Sequence, residues 1–230
     1  SLMPALERVA KNNNIELTYT GYSGCAPLLG VYSYREDQNE KNCYELNSKI
    51  FNYVKKGNFN KVFLAARWTY YNTGDYTGPK IQHLYTKQKK EISKENTIRT
   101  FRYGVRNTFK QYSDANIDVY LMLQVPAQES HPTKIYYKSF LKDKICTSKL
   151  NYNSVDFNKS QRNQYLANSI ILEESSYFEN ITIINPHEVM CKNNKCPVGD
   201  EYNSYYFDDD HLTITGAEIL RPTFESMFKY

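Results

Sequence analysis

Near the end of the chain, "YYFDDDHLTIT" (205–215) sets three aspartates directly before a histidine. Asp208 stands three residues ahead of His211, close enough for one loop to present both groups. That pairing suits serine-based acyl transfer. A serine hydroxyl is a weak nucleophile until an imidazole takes its proton. The imidazole in turn needs a carboxylate on its other nitrogen, to set the tautomer and hold the transient charge. His211 is therefore the candidate base and Asp208 the candidate orienting acid. A helix is expected directly afterwards, and Thr215-x-x-Glu218 fits a capping box that would anchor the loop. Two other readings fit the same residues: solvated acids beside a packing histidine, or a cation site.

Two further stretches carry candidate chemistry. "GYSGCAPLLG" (21–30) contains Gly21-Tyr22-Ser23-Gly24, but Cys25 stands where a nucleophile elbow needs its last glycine. Ser23 thus reads as a loop residue, whereas the Gly24 N–H could meet a developing oxyanion or simply permit a tight turn. "LAARWTYY" (64–71) places Arg67 and Trp68 just past an expected strand. The guanidinium could grip an anionic group. The indole could stack on a sugar or line an acyl pocket, or be a core residue.

The cysteines look like loop staples. Cys25 and Cys43 bracket a stretch without periodicity, and Cys191 and Cys196 enclose four polar residues. Two disulfides, 25–43 and 191–196, with Cys146 free, imply an oxidising compartment. A zinc site lacks paired ligand spacing, so no metal and no cofactor are expected. The 22 tyrosines against one tryptophan suit glycan-facing surfaces as well as core edges. The net charge of +4 is spread out, and the densest cluster, "TKQKKEISKEN" (86–96), is interleaved with glutamate. That pattern offers nucleic acid no basic stripe. No apolar run approaches the ~18 residues of a membrane span.

The elements that must position these residues alternate between helix and strand. Helices are expected at 2–12, 43–56 (ended by Gly57), 95–113, 161–176 and 215–229. Strands are expected at 15–20, 61–66, 117–125 and 181–184. Continuous apolar strands between helices indicate one α/β domain, 1–230, with a mostly parallel sheet covered on both faces. The long loops 21–42, 67–93 and 126–160 all follow strands, the edge where such folds carry their sites. The chain opens inside an amphipathic helix, so a first strand and its turn are expected upstream of residue 1.

Taken together, "PALERVAKNN", "ELTYTGYSGCAPL", "CYELN", "VFLAARWTYY", "LMLQVP", the Cys191/Cys196 loop and "YFDDDHLTITGAEIL" resemble the extracytoplasmic SGNH (GDSL-like) domain fused to membrane acyltransferases of the acyltransferase-3 type. The resemblance spans nearly the whole chain. It implies a three-layer α/β/α, flavodoxin-like SGNH-hydrolase fold. It also implies O-acetyl transfer to a bacterial surface glycan, with carbohydrate esterase or a non-catalytic glycan-docking module as alternatives. His211 would be the base, Asp208 its partner and Gly24 an oxyanion donor. The nucleophile would lie in a Gly-Asp-Ser-His-like block just upstream of Ser1. The third block usually supplies an asparagine, and Arg67-Trp68 stand there instead. The implied partners are a membrane acyltransferase domain of the same polypeptide and a glycan acceptor, on the periplasmic side of the inner membrane.

Overall fold

The computed structural model describes residues 2–35, 38–74, 81–136 and 145–228. In chain order they form α1 (Met3–Asn12), β1 (Tyr32–Arg35), β2 (Gln38–Lys41), α2 (Cys43–Lys56), β3 (Lys61–Ala65), a 3-10 turn (Trp68–Tyr71), β4 (His83–Tyr85) and α3 (Lys94–Asp114). There follow β5 (Asp118–Met122), α4 (Pro132–Tyr136), α5 (Thr147–Asn153), β6 (Val155–Asp156), α6 (Phe157–Ser175), β7 (Ile181–Ile184), α7 (His187–Met190), β8 (Lys195–Cys196), α8 (Ile214–Ile219) and α9 (Arg221–Ser226). No described helix is long and apolar enough to cross a membrane. The elements gather into two compact units interleaved along the chain.

The first, the sheet unit, comprises Thr20–Gln124 and Asn163–Ile184. Its centre is the parallel sheet β3-β5-β7, with Leu64 paired to Leu121 and Leu121 to Ile183. The apolar runs anticipated as buried strands are these three, and the fold is α/β. Val119 and Leu121 are fully buried among Phe101, Val105 and Phe109 of α3 and Ile170 and Ile171 of α6. α3 starts where Ser93 accepts a hydrogen bond from the Asn96 N–H at 3.1 Å, a side-chain cap. α2 ends at Gly57 as expected, though not in a left-handed conformation; an added Cβ would sit 2.6 Å from the Phe59 ring.

Two of the long loops are not structureless. β1, β2 and β4 come from them and form a small antiparallel sheet ordered β2-β1-β4, with Tyr32 opposite Tyr85. Polar tyrosine-rich strands this short carry no apolar run, so their pairing is invisible to periodicity. The Cys25–Cys43 disulfide, with Cα atoms 5.4 Å apart, ties the loop before β1 to the start of α2.

The second, the terminal unit, comprises Ser1–Tyr19, Val125–Arg162 and Asn185–Tyr230. Ala5, Leu6, Val9 and Ala10 of α1 are buried in it, as are Ala217 of α8, Phe224 of α9 and Leu220 between them. The helix expected over 215–229 is instead two, broken at Leu220, with Pro222 in the first turn of α9, where its missing N–H costs nothing; residue 229 lies outside the described residues. The strand expected at 15–20 is not formed. Residues 16–20 are exposed and irregular, because no described strand pairs with them. The loop at 126–160 carries α4, α5 and β6, and β6 pairs with β8 through Val155 and Cys196. The Cys191–Cys196 disulfide staples the turn before β8, and Cys146 is free and exposed.

Candidate active site

The acidic run and His211 form the tip of a tight loop in the terminal unit. Tyr206 and Leu212 make an isolated β-bridge at its base, and the Phe207 N–H donates to the His211 carbonyl at 2.7 Å. Inside that closure the Asp208 carboxylate folds back on its own backbone. Its Oδ1 accepts the N–H of Asp210 at 3.0 Å and of His211 at 2.7 Å. Asp residues favour such local bonds, which hold the carboxylate in one place. The same carboxylate then meets the imidazole: Asp208 Oδ2 lies 2.8 Å from His211 Nδ1.

Asp210 is the residue that spacing alone did not single out. Its carboxylate is nearly buried, and Oδ1 lies 3.1 Å from the same His211 Nδ1. Two acids therefore face one ring nitrogen. The hydrogen bond that His211 donates to Asp210, then the charges of Asp210 and Asp208, raise the His211 pKa from its ordinary value of 6.5 to about 9, against the opposing effect of partial burial. Burial pushes Asp208 up, but the N–H groups of Asp210 and His211 and the imidazolium outweigh it and hold this carboxyl below its usual range. The His211 side chain is 69% exposed, and its Nε2 makes no hydrogen bond among the described residues. A carboxylate-anchored imidazole with its far nitrogen open is the arrangement of a general base.

The loop is braced from behind. Asp209 accepts the Gln128 N–H at 2.7 Å. The fully buried Gln128 side chain donates to the Cys196 carbonyl at 3.2 Å and accepts the Val155 N–H at 3.2 Å. Gln128 thus joins the loop to the β6–β8 pair that the disulfide staples. On the other side α8 begins at Thr213, not at the expected Thr215-x-x-Glu218 box. Thr213 Oγ1 accepts the Gly216 N–H at 3.1 Å and donates to the Ser204 carbonyl at 2.7 Å, so the loop enters the helix two residues earlier than the box requires.

A second histidine makes a useful contrast. His187 Nε2 lies 2.9 Å from Ser160 Oγ, with both residues buried, and burial lowers the His187 pKa to about 4. Ser160 and His187 are enclosed and neutral; among the described residues no carboxylate hydrogen-bonds to the ring of His187. They are packing groups. Two described clusters bring three possible ligand atoms within 4.8 Å. In one, His187 with Cys191 and Cys196, both sulfurs are spent in the disulfide. In the other, Asp208, Asp210 and His211, a cation would have to displace the proton that Nδ1 shares with two carboxylates.

The remaining expected residues lie in the sheet unit. Gly24 has φ of +78°, a conformation that favours glycine, and its N–H makes no hydrogen bond among the described residues. Arg67 is half-buried with its guanidinium 5.6 Å from the Tyr70 ring centroid. Trp68 corrects the expectation of a sugar platform. It is fully buried, and its indole N–H donates to the Met122 carbonyl at 2.7 Å, across the ends of β3 and β5. A ring with no exposed face offers nothing to a sugar. Ser1 lies outside the described residues.

No curated protein and no solved structure matches the chain. A family model does, the SGNH domain fused to AT3 domains, over residues 1–226. The match covers nearly all of the chain, the Asp208–His211 loop included, and the chain belongs to the family of SGNH domains fused to AT3 domains.

Proposed function

We propose that this chain is the acyl-transferring domain of a membrane-tethered O-acetyltransferase acting on a bacterial surface glycan from the periplasmic side. The observation that carries the reading is the Asp208–His211 pair, anchored through Nδ1 at 2.8 Å with Nε2 left open. An open Nε2 can take the proton of a serine as it attacks an acyl group, and return it to the departing group. The acetyl would then pass from the serine to a sugar hydroxyl, which Nε2 deprotonates in turn. The serine itself is proposed to come from residues upstream of Ser1, where the resemblance puts the Gly-Asp-Ser-His-like block. The Gly24 N–H, which makes no hydrogen bond among the described residues, is the kind of group an oxyanion donor needs. Arg67 is proposed to hold an anionic group of a substrate. The acyl donor side falls to the fused AT3 domain, and membership of that family supports the pairing.

The test uses the full-length protein and two acceptors, water and a glycan. His211→Ala should lower aryl acetate turnover by roughly 10³-fold or more, with the fold intact by circular dichroism. Acetyl transfer to glycan should fall in parallel. A variant that keeps its turnover would sink the base assignment. Turnover on water with no transfer to any glycan would make the protein an esterase.

A further inference from the structure

A second site stands on the sheet unit alone, where α2 and α3 present matching rows. α2 carries Tyr44, Ser48 and Asn52 at four-residue spacing, and α3 carries Tyr103, Asn107 and Gln111 at the same spacing. Residues four apart share one helix face, so each row is a straight stripe about 12 Å long. Both stripes line one open cavity of about 370 Å³. Each begins with a tyrosine and continues with hydroxyl or amide groups.

The floor of this groove is fixed. It is the Leu29–Gly30 backbone, held by the Leu29 N–H donating to Thr108 Oγ1 at 2.8 Å and by Asn107 Nδ2 donating to the Leu29 carbonyl at 2.9 Å. Gly30 has φ of +84°, and a Cβ there would lie 2.7 Å from Asn107 Nδ2 and 3.2 Å from the Tyr103 ring. Glycine keeps the floor flat and lets both side chains stand where they do. Tyr44 is braced by stacking on Tyr32, with centroids 4.8 Å apart, yet stays 38% exposed; Tyr103 is 49% exposed. Among the described residues, the amides of Asn52 and Gln111 have no protein hydrogen-bond partner.

We propose that this groove binds a short neutral oligosaccharide. Sugars offer apolar ring faces, which tyrosine rings cover, and hydroxyls that both donate and accept. A carboxamide also does both at once, so an Asn or Gln can engage neighbouring hydroxyls in one plane. Of the described lining residues only Lys87 is charged, which leaves a nucleic-acid backbone without the cations it needs. In biological terms the inference rests on the glycan reading above; a chain held in this groove would be kept at the domain between acyl transfers.

The test is binding of labelled full-length protein, in a detergent without sugar groups, to an array of neutral di- to octasaccharides of hexoses and N-acetylhexosamines. Retention is expected. Tyr103→Ala should weaken it roughly tenfold or more, as expected for loss of an aromatic anchor. Gln111→Ala should weaken it less, and His211→Ala should leave it unchanged. Tyr103 is half-exposed on a helix, so its removal should spare the fold; should Tyr103→Ala unfold, Gln111→Ala still reads the groove. No retention on any saccharide overturns the proposal, as does retention that neither groove variant weakens. Loss of binding in His211→Ala with Tyr103→Ala unaffected places the sugar at the dyad, which also overturns it. Aryl acetate turnover separates the two ideas. It should be normal in Tyr103→Ala, and an unaffected His211→Ala would sink the acyl-transfer reading while leaving the groove standing.

Discussion

His211 Nδ1 lies 2.8 Å from Asp208 Oδ2 and 3.1 Å from Asp210 Oδ1, so one imidazole nitrogen answers to two carboxylates. Asp208 also accepts two backbone N–H groups of its own loop, whereas Asp210 is the more deeply buried. The two acids are therefore expected to do different work, one fixing geometry and one adding charge.

The first expectation concerns pH. Held at about 9, His211 is mostly protonated at neutral pH and cannot act as a base until the proton leaves. Turnover on an aryl acetate should rise about tenfold per pH unit from 7 and level off near 9. Stability runs the other way. A raised folded-state pKa means the imidazolium contributes fully below 6.5, and that contribution is lost as pH rises through about 9. A flat pH–rate profile between 7 and 9, with chemistry rate-limiting, would contradict the geometry.

The two carboxylates can be told apart by their amides. Asp208→Asn keeps an oxygen for the loop N–H groups but turns an NH₂ toward Nδ1, favouring the wrong tautomer. Turnover should fall at every pH, somewhat less than in His211→Ala. Asp210→Asn removes the largest contribution to the raised pKa. Its pH–rate midpoint should move toward neutral while the plateau is largely kept. If Asp210→Asn costs more plateau activity than Asp208→Asn, the orienting acid is Asp210.

Gly216 has a role that a methyl group would expose. A Cβ there would lie 2.0 Å from the Tyr205 carbonyl oxygen, at the root of the dyad loop. Gly216→Ala must push the loop away from α8, at a cost of roughly 1–3 kcal/mol. Thermal unfolding should show the loss, and turnover should fall with His211 untouched. A variant with wild-type melting temperature and turnover would mean the loop does not lean on this helix.

Gln128 links the loop to the stapled hairpin, and its amide is buried with both ends in use. Gln128→Ala leaves the Cys196 carbonyl and the Val155 N–H without that partner, a loss of about 1–3 kcal/mol. The backbone bond to Asp209 survives the substitution, so kcat should drop less than stability does. Paired unfolding and kinetic measurements separate these effects; a kcat loss as large as that of Asp208→Asn would give Gln128 a direct part in catalysis.

Some of this was determined by the order of residues alone. Apolar runs such as "KVFLAA" and "IDVYLMLQV" must leave water, and that requirement set β3 and β5 in a parallel sheet. Spacing along a loop put Asp208 beside His211, because both groups sit on one short turn. The cysteine pairs 25–43 and 191–196 bracket their own loops, and these short closures are the bridges found. Other features depend on residues distant in sequence, which local pattern does not encode. Trp68 is buried because the Met122 carbonyl and Phe101 meet it from other elements. Tyr32 and Tyr85 pair across a small sheet without any apolar run to announce it. Ile15–Thr20 has a strand's composition and no described partner, and a strand exists only where a neighbour accepts its hydrogen bonds. Asp209 and Asp210 are alike in type and adjacent in sequence, yet it is Asp210 Oδ1 that reaches His211 Nδ1, while the Asp209 carbonyl accepts the Gln128 N–H. Local chemistry named the dyad; packing chose which of its neighbours joins it.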